Sequence, residues 1–256
     1  MNSIHQITNL SGHVAIVTGA GAGIGRAIAE TFAAAGASVM VSDRSPEAAA
    51  AVSATINATG GQAASVACDV TSDDDLGALV EAAIAAFGKL TILVNNAGGG
   101  GPKPFDMPLD DFIRAYQLNV FSAFRLSQLC AAHIERAGGG SILFITSMAG
   151  ENKNQRMASY GSSKAAANHL ARNMAFDLGS RNIRVNAIAP GAIKTAALAS
   201  VLNPEIEQAM LKHTPLGRLG ETSDIANAAL FLCSPASSWI SGQVLTINGG
   251  GVQELD

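Results

Sequence analysis

Residues 14–25 read VAIVTGAGAGIG, a short β-branched run that passes through Thr18 into glycines at 19, 21, 23 and 25 and then straight into an Ala-rich segment of helical length. A strand that empties into such a turn positions a pyrophosphate. The glycines let the chain turn tightly and bring its amides close to the phosphates, while the following helix offers unpaired N–H groups and the positive end of its dipole. The spacing is Gly19-x3-Gly23-x-Gly25 rather than GxGxxG. The reading is a dinucleotide turn at the head of a βαβ unit, which makes Val14–Thr18 the first strand of a parallel sheet.

The rest of the chain repeats that rhythm. SVMVS (38–42), ILVNN (92–96), SILFIT (141–146), IRVNAIA (183–189) and QVLTI (243–247) read as strands apolar on both faces, with Gln62–Ala67 a further strand. Helical segments are expected over Ile24–Ala35, Glu47–Ala58, Asp73–Phe87, Asn119–Ala137 and Ser159–Leu178. Right-handed βαβ units of this kind give an α/β fold: a single Rossmann-type doubly wound parallel sheet with helices on both faces. No Pro/Ser linker or charge block divides the 256 residues, so one domain is expected over 1–256. Two segments break the alternation. Gly98–Pro108, with four glycines and three prolines, is expected as a substrate loop after the fourth strand. Residues 192–219 follow Pro190-Gly191 and hold a short amphipathic helix with Ile206, Met210 and Leu211 on its apolar side, which suits a lid.

Composition excludes several classes. With 48% hydrophobic residues, 14% charged, 27 Gly and a net charge of −4, the chain is neither disordered nor supplied with the basic run that nucleic acid demands. So little charge suggests surface covered by sister subunits. Cys68, Cys130 and Cys233 show no CxxC spacing and read as buried thiols, and the five histidines form no ligand pair, so no metal is expected. The uncharged stretch 225–253 is broken by Ser-Pro and Gly-Gln, which reads as a buried helix, a turn and a strand rather than a membrane span. The N-terminus lacks a basic n-region and a cleavage site, so a cytoplasmic location is expected.

Four positions carry candidate chemistry. Tyr160 and Lys164 are four apart on one helix face, where an ammonium favours the phenolate. Lowering a phenol by ~2 pKa units takes roughly 3 kcal/mol. Ser147 ends the SILFIT strand, 13 residues before Tyr160, and can place its hydroxyl beside the same substrate oxygen; it also suits a strand-end cap. Asn119 stands at the head of an expected helix, as a plain N-cap or as an amide orienting a water toward Lys164. Asp43 lies 18 to 24 residues beyond the turn glycines, where a carboxylate accepts from ribose hydroxyls and repels a 2′-phosphate, favouring NAD; Arg44 beside it partly offsets that preference. Asp69, after the third strand, suits the adenine amino group.

Gly19/Gly23/Gly25, Asn95–Gly98 (NNAG), Asn119, Ser147, Tyr160-x3-Lys164 and Pro190-Gly191 occur in one order along the chain, and together they resemble the short-chain dehydrogenase/reductase family. A narrower likeness, to the bacterial members acting on 7α-hydroxysteroids, lies in NNAGGGGPKPFDMP, SMAGENKN, RNMAFDLG and the closing GGGVQEL. The resemblance implies oxidation of the 7α-hydroxyl of bile acids such as cholic and chenodeoxycholic acid to 7-oxo products, with NAD as acceptor and a homotetrameric assembly. It implies Asn119, Ser147, Tyr160 and Lys164 as the catalytic set. By the same matching, Gly100 and Asn152 meet the steroid together with Ser147 and Tyr160. Ile24, Val70, Asn96, Ile193 and Thr195 meet NAD alongside Gly19, Gly23, Gly25, Asp43, Asp69, Tyr160 and Lys164. Two other readings stay open: a 3-oxoacyl carrier-protein reductase or other secondary-alcohol dehydrogenase, and a dinucleotide-binding scaffold without catalysis.

Overall fold

The computed structural model describes residues 7–200 and 202–251; the closing residues 252–255 of the narrower likeness lie outside them. Seven strands, β1 (Val14–Thr18), β2 (Ser38–Asp43), β3 (Gln62–Ala67), β4 (Ile92–Asn95), β5 (Gly140–Ile145), β6 (Ile183–Pro190) and β7 (Val244–Ile247), form one parallel sheet in the order β3-β2-β1-β4-β5-β6-β7. The chain winds outward from β1 in one direction and from β4 in the other. Their C-terminal ends therefore diverge and leave a crevice, the place where doubly wound sheets bind ligands.

Helices cover both faces. On one side α1 (Gly23–Ala34), α2 (Pro46–Ala58) and α7 (Thr222–Cys233) bury Ile28, Phe32, Val52, Ile225 and Ala229 against Val17, Val39 and Val94. On the other, α3 (Asp73–Phe87), α5 (Ser122–Arg136) and α6 (Ala158–Leu178) bury Leu79, Leu126, Ile134 and Ala171 against Ile16, Met40 and Leu93. Local chemistry sets their starts. Ser45 Oγ accepts from Ala48 N ahead of Pro46, and Ser72 Oγ accepts from Asp75 N before three acidic residues that suit the helix dipole. Gly88, at φ 78°, closes α3 in the left-handed region.

Two expectations change. QVLTI was read as apolar on both faces, but β7 is an edge strand with one neighbour, and Leu245 is exposed. The helix read as Asn119–Ala137 starts ten residues earlier. Helix α4 (Leu109–Tyr116) runs through a π-helical turn at Gln117–Phe121 into α5, so Asn119 is buried in mid-helix and is no N-cap. The signals for that earlier start are Pro108, the acidic pair Asp110-Asp111 in the first turn, and Phe112 stacked on Tyr116 with ring centroids 5.2 Å apart. Among the described residues no helix is long and apolar enough to cross a membrane.

Candidate active site

The glycine turn is built for close approach. Gly19 and Gly23 sit at φ 61° and 57°, and a Cβ on Gly25 would stand 2.3 Å from the Gly19 carbonyl oxygen. Asn96 locks the end of β4 to this turn: its Nδ2 donates to Thr18 O at 2.8 Å and to Gly19 O at 3.0 Å. Asp43, at the end of β2, accepts from Gly21 N at 2.9 Å and from Ser45 N at 3.0 Å, so it ties the turn to the start of α2. Asp69 accepts from the Thr71 amide and hydroxyl through one carboxylate oxygen, and these bonds hold it below the usual carboxylate range, with Arg44 adding a smaller attraction.

A cavity of about 340 Å³ holds Gly19, Asp43, Arg44, Asp69 and Val70; a second of about 380 Å³ holds Gly23, Ile24, Gly25, Tyr160, Lys164 and Thr195. Asn96 and Gly98 line both, so the two are halves of one groove along the C-terminal edge of the sheet. Ile193 is not brought into this groove. It forms a parallel bridge with Gly220 and faces a neighbouring cavity of about 200 Å³ lined by His213, Leu216 and Asn248.

Ser147, Tyr160, Lys164 and Asn119 converge at the second half. Ser147 Oγ accepts from Ala149 N at 3.1 Å, capping a turn of 3-10 helix (Met148–Gly150), and also shares a side-chain hydrogen bond with Tyr160. The strand-end cap expected of Ser147 is present. Lys164 is only 5% exposed; its Nζ donates to Ile145 O at 3.1 Å and lies 5.9 Å from the Tyr160 ring centroid. Burial pulls the Lys164 ammonium down to about 8. Burial also pushes the Tyr160 phenol above its ordinary value, against the opposing Ser147 bond. The sequence reading had Lys164 setting the Tyr160 pKa. In the folded chain desolvation sets the direction at Tyr160 and Ser147 opposes it, while the Lys164 ammonium bonds a backbone carbonyl.

Asn119 is held on three sides. Its Oδ1 accepts from Gly99 N at 3.0 Å, while Nδ2 donates to Gly99 O at 2.9 Å and to Ser163 Oγ at 3.1 Å. The π turn is what swings this amide inward; such turns recur at functional sites. Gly98 was legible only as part of NNAG, yet a Cβ there would stand 2.8 Å from Asn119 Oδ1 and 3.0 Å from Lys164 Nζ. Its bareness keeps the space between them open. Gly100 performs the same service at the ring, where a Cβ would meet Tyr160 Cδ2 at 2.5 Å. Asn152 is half-buried in the following loop, with its amide on Met148 O at 3.0 Å. Among the described residues no cluster of three His, Cys, Asp or Glu side chains is placed to hold a metal ion.

A family model described as enoyl-(acyl carrier protein) reductase matches residues 19–251. A relative from Escherichia coli K12 named 7alpha-hydroxysteroid dehydrogenase is 68% identical over 247 residues, 96% of this chain and 97% of the relative. A solved short-chain type dehydrogenase/reductase from Mycobacterium marinum is 35% identical, with a TM-score of 0.92 over 97% of this chain and 98% of its own. The chain belongs to the short-chain dehydrogenase/reductase family. Among solved structures similar to this oxidoreductase is a 7 alpha-hydroxysteroid dehydrogenase complexed with NADH and 7-oxo glycochenodeoxycholic acid, 66% identical, with a TM-score of 0.97 over 100% of both chains. A tropinone reductase homologue of Arabidopsis thaliana is 39% identical over 94% of this chain and 93% of its own.

Proposed function

We propose that this dehydrogenase oxidises the 7α-hydroxyl of bile acids such as cholic and chenodeoxycholic acid to the 7-oxo product, with NAD as acceptor. The observation that carries the reading is the match to the hydroxysteroid dehydrogenase complex over the whole of both chains. The residues present fit the cofactor. The Gly19–Gly25 turn closes so tightly on the Gly19 carbonyl and the Asn96 amide that a Cβ at Gly25 would break it, and Asp43 lines the adjoining half-groove with a carboxylate suited to ribose hydroxyls.

When bound, NAD supplies the hydride acceptor. Tyr160 Oη, once its own proton has passed toward Lys164, takes the proton of the 7α-hydroxyl as a phenolate. Ser147 Oγ, already bonded to Tyr160, holds the same substrate oxygen and stabilises charge developing on it. Lys164 Nζ, fixed by Ile145 O, serves the nicotinamide ribose hydroxyls, and Asn119 with Gly98 shapes the path by which the proton leaves toward Lys164. Gly100 and Asn152 border the steroid. Residues 98–108 and 192–219 act as substrate loop and lid of a single domain. A thioester on an acidic carrier protein suits the site less well, because the chain carries a net charge of −4 and Asp43 disfavours a 2′-phosphate.

The deciding assay measures NAD reduction with cholic acid, deoxycholic acid (which lacks the 7-hydroxyl) and, with NADPH, a 3-oxoacyl thioester. Turnover is expected only with cholic acid. Equal rates on the two bile acids discard the 7α assignment, and turnover of the thioester alone favours the reductase. For the cofactor, Asp43→Ser is expected to raise the KM for NAD about tenfold, the scale of one hydrogen bond to a charged group, and to lower that for NADP. Parallel changes in both would show that the aspartate only braces Gly21 and Ser45.

A homotetramer in the cytoplasm completes the proposal. Phe121 and Phe124 on one side, and Phe176 (93% exposed), Trp239 (99%) and the open edge of β7 on another, supply apolar surface for two interfaces. Sedimentation at micromolar concentration tests the assembly. Free, buried Cys68, Cys130 and Cys233 suit a reducing compartment.

A further inference from the structure

Between Ser147 and Tyr160 the chain makes a loop whose charges are sorted. Glu151 turns away toward the sheet edge, where its carboxylate accepts from Thr246 Oγ1 at 2.8 Å. Lys153 and Arg156 are exposed, and among the described residues neither side chain has an acidic partner. Across the cleft, Lys103 in the 98–108 loop is neutralised by Asp111 at 2.7 Å. The two loops are stitched together by one backbone bond, Lys103 N to Arg156 O at 2.7 Å. That stitch lies three residues beyond Gly100, which packs on the Tyr160 ring, and four residues before Tyr160 itself. It therefore joins, as a rim, the segment that leaves Gly100 and the segment that enters Tyr160.

Arg156 is also strained. Apart from Asn182, it is the one non-glycine residue at positive φ (62°) among those described. Asn tolerates that conformation, whereas a long side chain without a local backbone bond holds it at a cost of order 1 kcal/mol. An arginine kept in a left-handed turn, beside an unpaired lysine on the rim of a net-acidic protein, marks a place where positive charge has a use.

We propose that Arg156, assisted by Lys153, recognises the anionic tail of the substrate: the side-chain carboxylate of a bile acid, or the terminal carboxylate or sulfonate of its glycine or taurine conjugate. This rests on the bile-acid reading above. With the 7α-hydroxyl at Tyr160, the acid group sits at the other end of the steroid on a flexible chain that leaves over the rim. Arg156 is then a specificity residue, remote from the bond-breaking step. A guanidinium on an exposed rim attracts a carboxylate weakly and in a salt-dependent way.

The test compares wild type with Arg156→Asn and Arg156→Asp, both tolerant of the left-handed region, on chenodeoxycholic acid, its glycine and taurine conjugates, and its uncharged methyl ester. Arg156→Asn is expected to raise KM for the three anions about three- to fivefold, and Arg156→Asp further, with kcat unchanged. The ester KM should not move, and 0.5 M NaCl should level the acids. The relative shifts among free acid, glycine and taurine forms identify which tail reaches the rim. Equal shifts for ester and acids, or none for any, overturn the inference. Wild-type turnover reports separately on the reading beneath it: if no bile acid is oxidised, ester included, both fall.

Discussion

Tyr160→Phe is expected to lower kcat for cholic acid oxidation by about 10³- to 10⁴-fold while the KM for NAD stays within about twofold. The range is the upper part of what a positioned acid–base group contributes. The substitution is clean because the ring is retained: Gly100 still packs against the same face, and Lys164 still bonds Ile145 O rather than the tyrosine. What disappears is the one oxygen that faces Ser147. Ser147→Ala should cost less, near 10²-fold, since it removes a hydrogen bond to developing charge and leaves the base in place. Steady-state kinetics with cholic acid and fluorescence titration with NADH check both. A Tyr160→Phe enzyme within tenfold of wild type would move the proton transfer elsewhere.

Lys164→Met is expected to do opposite things to activity and stability. Turnover should fall about 10²-fold or more, because the cation serving the cofactor ribose is gone. The cofactor-free protein should become more stable. Burial holds Lys164 at about 8 against an ordinary 10.5, and a gap of that size is worth roughly 3 kcal/mol of penalty for carrying the charge inside. Loss of the bond to Ile145 O returns about 1 kcal/mol of it, leaving a gain near 2 kcal/mol at neutral pH.

The sign with pH follows from proton counting. Below about pH 8 both folded and unfolded chains carry the ammonium, so the folded state bears the full penalty and the variant's advantage is greatest. As pH rises from about 8 to 10.5 the folded lysine releases its proton first, wild-type stability recovers, and the difference closes. Thermal unfolding at pH 7 should place the variant about 4 to 8 °C above wild type, with the gap shrinking toward pH 10.5. A lowered midpoint at pH 7 would mean that the ammonium is solvated and stabilising.

Much of this site was legible as sequence because its chemistry depends on residues at short, fixed offsets. Strand-glycine-helix at 14–25 and Tyr160-x3-Lys164 carry their geometry with them, and the Asp43 offset follows from the length of one βα unit. Gln62–Ala67 appears as a strand despite its Ala and Ser, since pairing with β2 decides it more than propensity does. What escaped depends on tertiary context. Nothing in the spacing around Asn119 announces a π turn, and its N-cap chemistry suggested a helix start that burial overrules. The balance between desolvation and charge at Tyr160 is set by the packing of α6 against β5 and β6. Arg156 gave no signal, because a positive φ at arginine is invisible until the backbone is seen.

The bridge between Ile193 and Gly220 joins the two ends of the excursion that follows β6, with Lys194 N on Gly220 O at 2.8 Å and Gly220 N on Ala192 O at 2.9 Å. The excursion is anchored a second time before it closes, where Leu216 N donates to Gly249 O at 3.1 Å. Lengthening such an excursion costs little closure entropy, about 0.6 kcal/mol per doubling. The stretch between Ala197 and His213 is a natural cassette: another sequence can be spliced there to accept a bulkier or smaller alcohol, while Thr195, β6, α7 and the Ser147, Tyr160, Lys164 constellation keep their places.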